Sequence, residues 1–161
     1  MSKEPQTMLL EHHLKALKLP TMLREYGAVA AVCQQERCDY AAFLFRLTER
    51  ELIDRERRAT ERRIRDAQFQ VIKTLDTFQF AAQPSINEAL VRELSRGEYI
   101  GKKENVLLVG NPGTGKTHLA IALCFAACSQ GKRVRFISAT GLATQLLEAQ
   151  ASRSLQRLTR Q

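Results

Sequence analysis

Apolar residues at the start of the chain recur at the spacing of an amphipathic helix. In the segment Met8–Leu19 the apolar residues have a spacing close to that of a helix: Met8, Leu9, Leu10, Leu14, Leu17 and Leu19. Pro20 interrupts this pattern, because proline is poorly tolerated in the interior of a helix. A second amphipathic helix is predicted from about Thr21 to Glu36.

A third and longer helix is predicted from Tyr40 to about Gln68, with Asp39 as its N-cap. Its beginning is apolar, and its later part mixes many arginines with acidic residues. Residues 1–68 are therefore predicted to form an all-α N-terminal domain. Several acids precede an arginine by four positions, the favourable order for ion pairs along a helix: Glu51–Arg55, Asp54–Arg58 and Glu61–Arg65.

The helical pattern is lost in the segment that follows. Residues 69–84 carry scattered apolar side chains without a helical period, which is typical of an extended linker. Ser85 is predicted to cap a short helix that ends near Leu94, because Glu88, three positions further on, completes the capping-box pattern. Residues 69–103 are interpreted as a connector that contains this one short helix.

The last part of the chain alternates short apolar runs with helical segments. The runs Asn105–Val109 and Val134–Ile137 are continuously hydrophobic or nearly so, which is typical of strands buried on both faces. Between them a helix is predicted from His118 to Ser129, and another helical segment from about Leu142 to Gln150. Strand, helix and strand in this order form a βαβ unit, which implies a parallel sheet. Residues 104–161 are predicted to form an α/β core.

A glycine-rich loop connects the first predicted strand to the helix. It matches the pattern Gly-x-x-x-x-Gly-Lys-Thr in full, and it has the preceding strand and the following helix that a phosphate-binding loop requires. The fold class is accordingly predicted to be α/β, a P-loop parallel sheet preceded by an all-α domain. The residues predicted to bind a nucleotide are Gly110, Asn111, Pro112, Gly113, Thr114, Gly115, Lys116 and Thr117.

The residue types in this loop suit a triphosphate. Gly113 and Gly115 lack a Cβ, so the backbone can curl its N–H groups around an anion. The helix that follows adds its free N–H groups and the positive end of its dipole. Lys116 supplies a mobile positive charge for the β- and γ-phosphates, and the Thr117 hydroxyl is a ligand for Mg²⁺. ATP with Mg²⁺ is therefore the predicted ligand.

His118 excludes two other phosphate-binding patterns. The dinucleotide fingerprint and the kinase glycine-rich loop both require glycine at this position. Because His118 lies on the first helical turn beyond the loop, it is predicted to have a packing or capping role rather than a catalytic one.

The charge balance favours an acidic partner. The formal net charge is +8 and the pI is about 9.7, values associated with nucleic-acid binding. The chain has no Trp, which argues against a stacking platform for single strands. Two interpretations of the arginine-rich helix stay open: a solvated helix held by its own ion pairs, or a surface whose unpaired arginines contact DNA phosphates without sequence preference.

The cysteines and the N-terminal residues indicate the cellular compartment. The pairs Cys33/Cys38 and Cys124/Cys128 do not show the C-x₂-C spacing of common zinc modules. They are therefore predicted to be free, small hydrophobes in a reducing compartment, the cytoplasm. The N-terminus is polar, and no run approaches the ~18 apolar residues of a membrane span, so neither a signal peptide nor a membrane partner is expected.

The sequence resembles the IstB-like transposase helper ATPases, which are AAA+ proteins close to the DnaC replicative helicase loaders. The likeness is carried by Gly110–Leu123 and extends backward through Val71–Phe78, the charged helix and Leu14–Pro20. The resemblance implies a protein that binds ATP through Gly110–Thr117, assembles on DNA as a homo-oligomer, and activates or targets the transposase of the same insertion element.

The chain departs from the family pattern after the loop. In the family an apolar strand ending in Asp-Glu follows, and those acids hold Mg²⁺ and activate water. Here no Asp follows the loop, and the one Glu that does is Glu148. The chain is therefore interpreted as a copy truncated after the second strand, with an incomplete sheet and little ATP hydrolysis. In the AAA+ order, Asn105–Val109 and Val134–Ile137 are not direct neighbours.

Two other functions stay open at this point. A replicative helicase loader of the DnaC type would use the N-terminal helical domain to grip a helicase rather than DNA. A non-functional remnant would have neither partner. The arginine-rich helix and the long N-terminal likeness favour the transposition helper.

Overall fold

The computed structural model describes residues 5–152. The chain divides into two compact units, residues 1–59 and 60–161. Within the described range, no helix has both the length and the apolar character needed to cross a membrane. The helices are α1 (Pro5–Ala16), α2 (Pro20–Gln35), α3 (Tyr40–Asp66), α4 (Glu88–Leu94), α5 (Glu98–Gly101), α6 (Lys116–Ser129) and α7 (Ala139–Ala151), with a 3₁₀ turn at Phe80–Ala82.

The three N-terminal helices follow the sequence prediction to within about three residues at each end. Pro20 is the first residue of α2, a position where proline is favoured because its missing N–H would have no partner in the helix. Asp39 caps α3 as predicted, since its Oδ1 accepts the Ala42 N–H at 2.7 Å.

A buried carboxylate on α3 holds the start of α2 in the first unit. Glu51 is 3% exposed, and its Oε2 accepts the N–H groups of Thr21 at 2.8 Å and Met22 at 3.0 Å. These N–H groups lie in the first helical turn, where the helix itself supplies no acceptor. The Thr21 hydroxyl donates to Asp54 Oδ2 at 2.6 Å. The apolar core of this unit consists of Val29, Cys33 and Leu47.

Several helices end on a residue in the left-handed conformation. At the end of α2, Arg37 has a φ of +54°, the Cys38 N–H donates to Cys33 O at 2.9 Å, and the Arg37 N–H donates to Gln34 O at 3.3 Å. This is the Schellman arrangement, which satisfies the last carbonyls of a helix. The same arrangement recurs at Lys18, Lys103 and Gly131. Three of these four left-handed residues are therefore basic, and one is glycine.

Helix α6 lies at the centre of the second unit. It is apolar around most of its circumference, which is typical of a helix surrounded by protein, and Leu119 joins Phe78 and Val91 in a buried cluster. The end of α3 is anchored nearby, because the Phe136 N–H donates to Ala67 O at 2.8 Å. The other buried residues of α6 are Ile121, Ala122, Leu123, Ala127 and Cys128.

The predicted parallel sheet is not confirmed. Within residues 5–152, Asn105–Val109 and Val134–Ile137 have no regular secondary structure, and no ladder of backbone hydrogen bonds joins them. A strand exists only through hydrogen bonds to a neighbouring strand, and no other described segment supplies one. The apolar run is consequently not buried: Leu107 is 85% and Val109 is 93% exposed. Because neither segment forms a strand in the described residues, the expectation that the two are not direct neighbours in a sheet stays a prediction.

The predicted cap of α4 was wrong. The cap is Asn87, whose Oδ1 accepts the Leu90 N–H at 3.1 Å. Ser85 stays outside the helix because the preceding chain is held in a turn, in which the Ile86 N–H donates to Gln83 O at 3.0 Å. Asn and Ser are comparable caps, so this turn decides between them.

Candidate functional site

The loop before α6 turns on two glycines. Gly113 and Gly115 have φ values of +79° and +83°, in the left-handed region that residues with a Cβ rarely adopt. Gly115 is also the N-cap residue of α6, and no side chain caps this helix. The rim of the loop, Gly110–Pro112, is exposed. The motif thus places glycine where the backbone requires it.

The amide groups of the loop lack internal partners. The N–H groups of residues 113–118 donate to no acceptor within the described part of the chain, and the first helical bond runs from the Leu119 N–H to Gly115 O at 2.9 Å. A run of free donors at a helix N-terminus, with the positive dipole end behind it, is a binding site for anions. The geometry therefore fits a chain of phosphates.

Lys116 and Thr117 stand at the two positions predicted to contact phosphate and metal. The Lys116 Nζ donates to Asn111 O at 2.6 Å and lies 3.4 Å from Thr114 Oγ1, which donates to the same carbonyl at 2.9 Å. The ammonium group is thus folded over the loop. Thr117 is exposed, and its hydroxyl makes no hydrogen bond within residues 5–152, so it is available to a ligand.

The residues present fit Mg²⁺ only in the company of a triphosphate. Mg²⁺ prefers oxygen ligands and usually binds through a few protein groups together with substrate phosphates and water. No group of three or more His, Cys, Asp and Glu side chains suited to a metal occurs among the described residues. Thr117 would therefore be the protein ligand, with the phosphates supplying other oxygens.

The connector packs directly on the loop, a contact that the sequence analysis missed. The Phe78 Cε2 lies 2.6 Å from the position that a Cβ on Gly115 would take. His118 Nε2 lies 3.0 Å from Thr74 O and 3.3 Å from Thr77 Oγ1, and its ring meets Phe78 edge-on with a centroid distance of 5.1 Å. His118 thus packs, as predicted. The available signal was the set of apolar side chains in this linker, among them Phe78 and Phe80.

Two clefts open beside the loop. One, of about 230 Å³, lies between the connector and Gly113–Gly115 and includes the amides of Gln79 and Gln83. The other, of about 770 Å³, is bounded by α4, residues 105–109 and Lys116. Small-molecule sites usually measure roughly 300–1,000 Å³, so the larger cleft provides enough space for a nucleotide next to the free amides.

Most arginines in the first part of α3 are already neutralised by acids. Two of the three predicted pairs form, Glu51–Arg55 at 3.5 Å and Asp54–Arg58 at 3.3 Å. The Thr21 hydroxyl, and then the Arg57 guanidinium, lower the pKa of Asp54 to about 2. Further ion pairs join Arg50 to Glu25 at 2.9 Å and Arg58 to Glu51 at 3.1 Å. This part of α3 agrees with the solvated-helix interpretation.

At the end of α3, by contrast, arginines without an acidic partner among the described residues occur. Arg62 and Arg65 are exposed and have no ion-pair partner within residues 5–152, so the predicted pair Glu61–Arg65 is not formed. The Arg63 Nη1 donates to Cys128 O at 2.9 Å. The arginines of the tail, which were also candidates for DNA contacts, lie outside the described residues: Arg153, Arg157 and Arg160.

Proteins of insertion sequences are similar to this chain. The family model described as IstB-like ATP binding protein matches residues 12–161. An ATP-binding protein of insertion sequence IS5376 from Geobacillus stearothermophilus is 37% identical over 151 residues, covering 94% of this chain and 60% of the relative. That of IS21 from Pseudomonas aeruginosa is 35% identical over 152 residues, covering 94% and 57%. The chain thus spans about 60% of these curated relatives.

Proposed function

The chain belongs to the family of IstB-like ATP-binding proteins, and from this premise we propose that it is an ATP-binding helper of insertion-element transposition that binds DNA and assists the transposase. The insertion-sequence names of its relatives favour this role over that of a replicative helicase loader. The chain would act in the cytoplasm, where its cysteines, free in the described residues, stay reduced.

The observation that carries the proposal is the row of free amides at residues 113–118. These donors would hold the β- and γ-phosphates of ATP, and Lys116 would exchange its bond to Asn111 O for a phosphate oxygen. Bound Mg²⁺ would neutralise phosphate charge, and the free hydroxyl of Thr117 would hold it from the protein side. The nucleotide would then bridge the loop and the first turn of α6.

Hydrolysis is expected to be weak in this 161-residue chain. Phosphoryl transfer requires a positioned water and acids on the far side of the metal. The residues after the loop include Glu148 as their one acid, and it lies in α7. Steady-state phosphate release above background, lost in Lys116→Ala, would contradict this part of the proposal.

DNA, the transposase and further copies of the chain are the proposed partners. Co-purification of the tagged chain with the transposase of its element, compared with a replicative helicase, tests this choice in the presence and absence of ATP. We expect ATP-dependent retention of the transposase, lost in Lys116→Ala and kept in Lys102→Ala, whose side chain is exposed and outside the loop. Retention of the helicase alone would favour the loader, and retention of neither would favour a remnant.

A further inference from the structure

The C-terminal end of α6 brings several basic segments of the second unit together. Gln130, directly after α6, donates through Nε2 to Ser95 O at 2.7 Å. A Cβ on Gly131 would lie 3.9 Å from the Arg63 guanidinium. The turn at 95–97, the turn at 130–133 and the end of α3 are therefore neighbours. Their exposed cations, here termed the basic turn patch, are Arg96, Lys132 and Arg133.

The charges of the basic turn patch are not neutralised by ion pairs. None of its three side chains forms an ion pair or a hydrogen bond within the described residues. The acids that flank the patch in sequence are Glu93 and Glu98, and both are exposed. In the first part of α3, by contrast, acids lie within 3.5 Å of the arginines. Free cations thus concentrate at this end of the second unit.

Capping of α6 does not account for these side chains. Cations near a helix C-terminus interact favourably with its dipole, but three of the last four carbonyls of α6 already have donors. The backbone N–H groups of residues 130–132 bond to Ala126, Ala127 and Cys128, and the Arg63 Nη1 adds a bond to Cys128 O at 2.9 Å. The patch side chains are therefore available to an external anion.

We propose that the basic turn patch binds the phosphate backbone of duplex nucleic acid without reading its sequence. Lys and Arg side chains are common donors to backbone phosphates. The turns carry no large apolar side chain of the kind that inserts into a membrane surface. The inference rests on the proposed function, in which the chain works on DNA, and it moves the contact from the paired arginines of α3 to the second unit.

The patch and the phosphate loop lie at opposite ends of one helix. Helix α6 has 14 residues, which at 1.5 Å per residue separates its ends by about 21 Å. Nucleotide and nucleic acid would therefore occupy distinct sites, with the ATP triphosphate at the N-terminus of α6 and the DNA backbone beyond its C-terminus. Substitution of patch residues is expected to leave nucleotide binding unchanged.

Fluorescence anisotropy with a labelled duplex of random sequence tests the patch across a range of salt concentrations. The test variant is Arg96→Gln/Lys132→Gln/Arg133→Gln. The matched control, Arg24→Gln/Arg46→Gln/Arg92→Gln, removes the same charge but from cations that already have acidic partners. Circular dichroism and the affinity for a fluorescent ATP analogue establish that each variant is folded.

The patch variant is expected to bind the duplex at least tenfold more weakly at low salt. Its slope of log K against log salt should shrink by about 0.9 for each phosphate that the variant no longer neutralises. The control should keep most of the wild-type slope. Equal slopes for wild type and patch variant would overturn the patch while leaving DNA binding intact. A wild type that binds no duplex, or that binds anionic phosphatidylserine vesicles instead, would overturn the inference together with the proposed DNA partner.

Discussion

Replacement of Gly115 by alanine tests the contact between the connector and the phosphate loop. A Cβ at this position would stand 2.6 Å from Phe78 Cε2 and 3.2 Å from Phe78 Cζ, whereas carbon atoms in favourable contact are about 3.5–4.0 Å apart. Gly113 has nearly the same φ, +79° against +83°, but no atom lies within 4 Å of its Cβ position. Comparing alanine variants at the two positions therefore distinguishes the cost of backbone strain from the cost of steric overlap.

The expected magnitudes follow from these two effects. A side chain in the left-handed region costs about 1–2 kcal/mol, and this cost applies at both positions. A methyl group forced into a filled site costs a further 1–3 kcal/mol or so, and this cost applies at Gly115 alone. Gly113→Ala should thus lower the free energy of unfolding by about 1–2 kcal/mol, and Gly115→Ala by about 2–5 kcal/mol.

Urea unfolding without nucleotide, followed by circular dichroism, measures both changes. A double-mutant cycle with Phe78→Leu, which removes the ring atoms nearest the new methyl group, should recover about 1–3 kcal/mol of the cost at Gly115. Gly113→Ala with Phe78→Leu is the control and should be additive. Equal losses for the two alanine variants, or no coupling between Gly115→Ala and Phe78→Leu, would refute the proposed contact.

Three further predictions concern stability and association. The pKa of Asp54 is lowered to about 2, so its contribution to stability is fully present above about pH 4 and is lost as the pH falls toward 2. An acid titration of Asp54→Asn should lack this loss of stability. Identical stability profiles for wild type and Asp54→Asn would contradict the assignment. Arg37→Gly should raise the free energy of unfolding in urea by roughly 0.5–1 kcal/mol, because Arg37 adopts a φ of +54° that glycine tolerates better. Unchanged or lower stability would contradict the inference that this backbone conformation costs free energy. Leu107→Lys should reduce self-association in sedimentation velocity, because the exposed apolar run around Leu107 can recruit other chains; an unaltered distribution would show that association arises elsewhere.

The sequence predicts those features whose causes are local. Helices α1 to α3 are recognisable because the period of their apolar residues and the cap at Asp39 lie within the helices themselves or directly beside them. The phosphate loop is recognisable for the same reason, since its glycines, Lys116 and Thr117 act through the backbone of one short segment.

Features that depend on distant partners could not be predicted in this way. The run Asn105–Val109 has the composition of a buried strand, but strand formation depends on neighbours, and the described residues provide none. The contact of Phe78 with Gly115 joins residues far apart in sequence. From the sequence, Arg63 cannot be distinguished from the other arginines of α3. In the structure its Nη1 donates to Cys128 O of α6 at 2.9 Å.

The central claim is that the loop at residues 110–117 binds ATP, and equilibrium titration with a fluorescent ATP analogue in the presence of Mg²⁺ tests it most directly. Lys116→Ala removes the cation folded over the loop, and since a hydrogen bond to a charged group contributes about 1.5–3 kcal/mol, affinity should fall roughly 10- to 150-fold. Lys102→Ala is the matched control and should bind like wild type. Saturable binding that is lost in Lys116→Ala alone is the predicted result; an unchanged affinity in that variant, or no binding by the folded wild type, would contradict the claim.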